Sequence, residues 1–418
     1  MRKIGLSLLL IGALLGATSA VSSAGTSSDP ATAAGDAAAW LGTQVDANGL
    51  VVSDFNALSA SAQAVLAYGA AGVGASQVDA ILDALETRVN DMVVVSGNDD
   101  PGALAYLILA ALTGDRDPED FGPSHANLVT RLQATLRTTG TDAGLYGAAF
   151  PGFDGVTRQG LALWALAADG EPAPAAAVTW LMGQQCTDAT FDGLWPAYRD
   201  PAVACAIDLV NFSGPDTNST AVAMLGLMAQ SVQGDAVDAA ADALDAVRTS
   251  DGGWGFFADD AQATDANSTG LVAEALLALD GEPDAEGTAA LLALQVGCTA
   301  AAADRGAVAF QSDPDGLDPN VFATIQAIPA LAGTSRLDIA GAPTAALPTV
   351  CAPVTTTTST STSTSSSSTS STVAASTSTT AAAAIPKTGA NDDTMALVAL
   401  AFIGLGLVAV GRSRLQTR

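Results

Sequence analysis

The chain has 418 residues, of which 49% are hydrophobic and 14% charged, and its formal net charge is −28. Its two lysines are Lys3 and Lys387, so residues 25–353 carry arginine as their only strong cation. That balance excludes nucleic acid as a partner, since phosphate binding needs clustered cations, and it describes a surface kept soluble by acid.

The first element is an export signal. Met1-Arg2-Lys3, an apolar run from Ile4 to Leu15 and small residues ending Ser22-Ser23-Ala24 predict a secretory signal peptide over residues 1–24. The chain that follows is expected outside the cytoplasm.

Residues 25–353 read as repeats. Glycines that stop alanine- and leucine-rich runs recur at Gly72, Gly114, Gly170, Gly234, Gly281 and Gly333, which predicts six units. Two stops are nearly verbatim, Asp169-Gly170-Glu171-Pro172 and Asp280-Gly281-Glu282-Pro283, and Asn218-Ser219-Thr220 matches Asn267-Ser268-Thr269. The fullest unit, Thr249 to Pro283, runs through a glycine-aromatic turn, an acidic loop, a polar cap and a helix bearing Leu271, Val272, Ala275, Leu276 and Leu279. One such unit cannot cover its own apolar face, so it needs copies on either side.

A second pattern precedes most inner helices: a large apolar residue, Gln or Arg four positions on, then a Gly-x-aromatic or Gly-x-Val turn. It occurs at Trp40/Gln44/Gly49-x-Val51, Leu181/Gln185/Gly193-x-Trp195, Leu244/Arg248/Gly252-x-Trp254 and Leu291/Gln295/Gly306-x-Val308. The third unit keeps Arg137 and Gly144-x-Tyr146, and the second, around Arg88, keeps little. Four residues make about one helical turn, so the polar group can bind a neighbouring backbone while the apolar side chain covers it.

These residues resemble the QW repeats of the terpenoid cyclase and protein prenyltransferase superfamily, which includes squalene-hopene cyclase and, more remotely, the corrinoid carriers. The resemblance covers about Ala31 to Gly333 and implies an all-α fold, six helical hairpins closed as an α6/α6 toroid. An open solenoid of hairpins is the alternative architecture.

Four cysteines allow three pairings, of which Cys186 with Cys205 and Cys298 with Cys351 would staple, respectively, the insertion of the fourth unit and the tail of the sixth. Residues 354–384 are mostly Ser and Thr and predict a solvated stalk. Residues 385–418 then hold Ile385-Pro386-Lys387-Thr388-Gly389, an apolar run at 395–411 long enough for a transmembrane helix, and a basic tail. That order resembles a sortase sorting signal. It implies cleavage between Thr388 and Gly389, with sortase and peptidoglycan as partners; the alternative is a C-terminal membrane anchor through 395–411, and both give a cell-surface location.

Chemistry is harder to find. The superfamily's Asp-x-Asp-Asp acid cluster is missing, the nearest runs being Asn98-Asp99-Asp100 and Ala258-Asp259-Asp260. Ala103 and Ala263 break any Asp-Asp-x-x-Asp, and His125 is the only histidine, so no zinc-ligand set or triad is complete. No catalytic residue, metal or cofactor is therefore expected. Asp313, Asp315 and Asp318 form an acidic turn that suits calcium or, more simply, a helix cap at Asp318. Asn211, Asn218 and Asn267 match the glycosylation triplet, although the last two read as helix caps.

In a closed ring the starts of the inner helices gather at one end. The loops there carry Trp195, Tyr198, Trp254, Phe256, Phe257, Asp259, Asp260, Asp265 and Asn267, a rim expected to bind an apolar or planar small molecule. The expected function is a surface-anchored, non-catalytic toroid that binds a small molecule or partner. Alternatives are an extracellular terpenoid-cyclase-like enzyme using Asp259 or Asp265 as its acid, and a corrinoid-binding surface protein.

Overall fold

The computed structural model describes residues 29–53, 56–147, 155–197, 205–208, 214–259, 261–339 and 341–351. The expected signal peptide, stalk, sorting motif and membrane span lie outside them, and no helix among the described residues is long and apolar enough to cross a membrane.

In chain order the helices are α1 (Pro30–Thr43), α2 (Ala57–Ala71), α3 (Ala75–Glu86), α4 (Val89–Val93), α5 (Pro101–Thr113), α6 (Leu128–Ala134), α7 (Val156–Ala168), α8 (Ala175–Met182), α9 (Thr217–Ala229), α10 (Asp235–Ala246), α11 (Ala266–Asp280), α12 (Ala285–Ala293) and α13 (Val321–Ala332). A hairpin of β1 (Val94–Val95) and β2 (Asn98–Asp99) follows α4, and a 3-10 turn spans Arg336–Asp338.

Six helices form an inner ring: α2 packs on α5, α5 on α7, α7 on α9, α9 on α11, α11 on α13, and α13 back on α2. Each is apolar nearly all round, as a helix enclosed on every side must be. The outer layer is α1, α3, α6, α8, α10 and α12, and the aspartates of α3 and α10 face solvent. This is an α/α toroid. The extra helix α4 and its hairpin occupy the second unit, where the glycine-aromatic turn is missing from the sequence.

The glycine stops fall where expected at the ends of α2, α5, α7, α11 and α13. Gly234 differs: it precedes α10, while α9 ends at Ala229 with Gln230 as its cap.

The Gln/Arg positions join neighbouring units. Gln185 Nε2 donates to the carbonyls of Gly193 and Ala236, at the start of α10, both within 2.8 Å. Arg248 reaches Asp284, the cap of α12, through two hydrogen bonds of 2.9 Å while lying 4.1 Å over the Trp254 ring. Gln295 Nε2 donates to Ala33 O at 2.8 Å and so links the sixth unit to the first. Gln44 departs from this, donating to Thr43 Oγ1 beside it.

The seam between those units is tight. Trp40 Nε1 donates to Ala303 O at 2.9 Å. Gly306 has φ +86°, and a Cβ there would lie 2.5 Å from Asp36 O. We expect Gly306→Ala to destabilise the protein by about 2–4 kcal/mol, combining backbone strain and the clash. Gly281→Ala (φ +74°, no atom within 4 Å) should cost about 1 kcal/mol. Urea melts of both variants check the contrast, and equal losses would remove the seam from the account.

Both disulfides form as expected, Cys186–Cys205 and Cys298–Cys351. Beyond α13 the chain crosses the ring at the ends of the inner helices. Arg336 enters beneath α11 and pairs with Glu274, both side chains at most 2% exposed. Ala345 then bridges to Val73 after α2, and Cys351 N–H donates to Asp36 Oδ1 at 2.8 Å.

Candidate active site

Successive inner helices are separated by an outer one, so all six start at the same end of the ring. Their caps are Asn56, Asp100, Gly155, Asp216, Asp265 and Asn320. In each Asp-x-Asn-Ser-Thr segment the cap is the Asp, whose Oδ1 accepts the serine N–H at 2.7 Å. Asn218 and Asn267, expected as caps, are instead buried within the first turn of their helices.

The threonines fix the turns. Trp195 N–H donates to Thr220 Oγ1, Trp254 N–H to Thr269 Oγ1 and Val308 N–H to Thr324 Oγ1, each at 2.9–3.0 Å. The strip after each turn stitches two helix starts together. Trp254 O accepts the N–H of Asp265, and Phe256 O accepts that of Thr217 in the preceding unit, both at 2.9 Å. Asp216 itself bridges to Phe257. The two acids therefore flank one short strip, with attachment points at most roughly 7 Å apart.

Asp216 and Asp265 are 0% and 2% exposed. Burial pushes each carboxyl up to about 7, outweighing the hydrogen bonds from Ser219 and Ser268 that favour the anion. Both oxygens of Asp265 are engaged, by Ser268 N–H and Ser268 Oγ. Asp216 Oδ2 has no partner among the described residues. Asp100, the third acidic cap, is held differently, with Arg158 2.9 Å away.

A stability prediction follows. A carboxyl whose pKa rises on folding binds its proton more tightly in the native state, so stability falls as pH rises from about 4 to about 7 and levels off above. Each acid contributes up to about 4 kcal/mol across that window. Melts between pH 4 and 8 should show the slope in the native protein and a shallower one in Asp265→Asn; an unchanged slope would refute the assignment.

The predicted rim divides. Trp195 and Trp254 are fully buried, their indole N–H groups donating to Leu181 O and Leu244 O at 2.8 and 2.7 Å. They wedge between the layers, because the turn that carries them tucks under the outer helices. Phe256 and Phe257 make an edge-on pair with centroids 5.0 Å apart beside the Asp216 bridge. Asp259 is exposed and accepts the N–H of Ala261 at 2.9 Å, while Tyr198 and Asp260 lie outside the described residues. His125 is exposed and paired with Asp120 at 2.6 Å. Asp318 caps no helix, since Asn320 starts α13.

Sequence reasoning missed the bore itself. A helix turns 100° per residue, so positions two before and two after each turn-binding threonine face the opposite way, inward. There lie Asn218 and Val222, Asn267 and Leu271, Phe322 and Gln326. In α2, where Ser61 replaces the threonine and binds Val51 N–H at 2.8 Å, the pair is Ser59 and Gln63. Asn267 and Gln326 have both amide atoms unpartnered among the described residues, and Gln63 has its oxygen unpartnered. Each such group costs on the order of 1–3 kcal/mol. At the other end a groove of about 640 Å³ lies between α1, the ends of α2 and α13, and Pro348. The acids of its lining are committed, Asp29 to capping α1 and Asp36 to Cys351 N–H.

The toroid is shared with solved structures. A protein from Actinoplanes is similar at 19% identity and a TM-score of 0.50, the match covering 73% of this chain and 99% of that one. An inactive variant of the α-1,6-mannanase GH76A of Salegentibacter sp. HEL1_6, in complex with α-1,6-mannotriose, matches at 14% identity and a TM-score of 0.49, over 74% of this chain and 100% of that one. An unsaturated glucuronyl hydrolase with dGlcA-Glc-Rha-Glc matches at 15% and 0.47, over 72% and 94%. No protein-family model and no curated protein matches the chain.

These findings correct the expected function. The non-catalytic binder, with its cyclase and corrinoid-carrier alternatives, was inferred from missing motifs. The mannanase and the glucuronyl hydrolase are enzymes that act on glycosides. In this chain, two buried carboxylic acids stand at the helix starts, Asp265, which the sequence singled out, and Asp216, which it did not.

Proposed function

We propose that this protein is a carbohydrate-active enzyme that cleaves glycosidic bonds, with Asp216 as proton donor and Asp265 as the second carboxylate. One observation carries the reading: two buried acids on adjoining inner helices, neither with a cation beside it among the described residues, flank a single backbone strip at the mouth of the ring. Glycoside cleavage needs one carboxyl protonated and one ionised near neutral pH, and carboxyls raised to about 7 supply both states. Asp216 gives its proton to the glycosidic oxygen as the C–O bond breaks. A water adds to the anomeric carbon and gives its proton to the second carboxylate.

The export signal, Ser/Thr stretch and Ile385-Pro386-Lys387-Thr388-Gly389 motif support a further part of the proposal, that the enzyme works at the cell surface, linked by sortase to peptidoglycan. Reducing-end release from a panel of α- and β-linked polysaccharides tests the activity. Release by the native chain that Asp216→Asn abolishes is the expected result; no release from any member by a folded native chain defeats the reading.

A further inference from the structure

Charge is one-sided in the groove at the far end of the ring. Its volume is about 640 Å³, and no lysine, arginine or histidine is among the described residues that line it. Negative groups gather there instead. Asp29 caps α1 and Asp36 stands two turns further along the same helix, so both lie on one face with about 10 Å between them. The helices α2 and α13 also end in the groove, and the carbonyls of Ala70, Ala71 and Ala332 accept no backbone hydrogen bond from a described residue. Such ends carry the negative pole of a helix.

Asp36 is the buried member of this set. It is 6% exposed and commits Oδ1 to Cys351 N–H at 2.8 Å, while Oδ2 makes no hydrogen bond to a described residue. Burial raises its carboxyl, a cost that a cation in the groove would offset. The walls between the two acids are small and apolar, with Ala34, Val73 and Pro348.

We infer that the groove is a second binding site, remote from Asp216 and Asp265, for a linear aliphatic polyamine: one ammonium binds Asp36 Oδ2, another meets Asp29, and the methylenes between them lie along the apolar walls. An ammonium brings three N–H donors, enough for a carboxylate and the helix-end carbonyls together. The site does not depend on the glycosidase reading, since it lies at the opposite end of the ring from those acids.

The test is calorimetric titration of the full chain with spermidine in about 0.15 M salt, which screens the diffuse attraction of a protein whose net charge is −28. One saturable site is expected, with a rise in Tm on binding. Asp36→Asn should weaken it at least tenfold, because the amide still accepts Cys351 N–H but carries no charge. Ala31→Phe, at an exposed position of the groove wall, should do the same by filling space with every charge kept, and it stands as the test should the first variant fold poorly. Asp238→Asn, an exposed acid of α10 away from the groove, should bind as the native chain does. No saturable binding, native affinity in a folded Asp36→Asn chain or in Ala31→Phe, or an equal loss in Asp238→Asn overturns the inference.

Discussion

Asp216→Asn is expected to lower turnover by about 10²–10⁴-fold, the usual contribution of a positioned proton donor, while the protein stays folded. Asparagine caps helices about as well as aspartate, so the hydrogen bond from Ser219 N–H survives and only the exchangeable proton is lost. Thermal melting should show a change of no more than about 1 kcal/mol at about pH 4, where the native carboxyl is protonated, and at pH 7 the variant should be the more stable of the two, since asparagine escapes the cost of ionising a buried acid. In the native enzyme kcat/KM should fall as pH rises beyond about 7, where the donor loses its proton. An Asp216→Asn enzyme with native turnover would remove Asp216 from the mechanism, and a pH profile flat through that range would do the same.

The second large effect concerns stability alone. Arg336→Met should destabilise the protein by about 3–5 kcal/mol, lowering Tm on the order of 10 °C, because Glu274 is left charged and unpaired at the far end of the bore. Arg336 N–H, as well as its guanidinium, donates to that carboxylate, and the guanidinium lies 5.5 Å from the Trp164 ring centroid. Combining Arg336→Met with Glu274→Gln removes the orphaned charge and should recover much of the loss. Differential scanning calorimetry of the single and double variants checks this. A single variant that melts like the native protein would show that the pair does not hold the crossing segment in place.

The architecture was readable where its signals are local. A left-handed residue that ends a helix, as at Gly72, Gly281 and Gly333, is a property of a few neighbouring residues, and so is the Gly-x-Trp turn. Unit two was illegible because α4 and its hairpin replace that turn. The site was only half visible. Asp265 and Asn267 were singled out, yet Asp216 was passed over although Asp216-Thr217-Asn218-Ser219-Thr220 repeats the pattern of Asp265-Ala266-Asn267-Ser268-Thr269. An aspartate two positions ahead of each Asn-Ser-Thr was the available clue. Gln63 and Gln326 gave none, since being buried without a partner depends on closure of the ring. Trp195 and Trp254 misled for a related reason: an aromatic beside glycine reads as a rim, but which layer its ring enters is decided by the next unit.

The bridge from Cys298 to Cys351 also sets where a pull on the tail is felt. Those cysteines are 53 positions apart in the chain, and the stretch between them includes α13 and Arg336–Asp338. Tension applied beyond Cys351 passes through the sulfur–sulfur link straight to Cys298, bypassing the whole intervening loop. Drag at an anchored end would then load the seam near Asp36 and Gly306, and the buried ion pair beneath the bore would feel none of it.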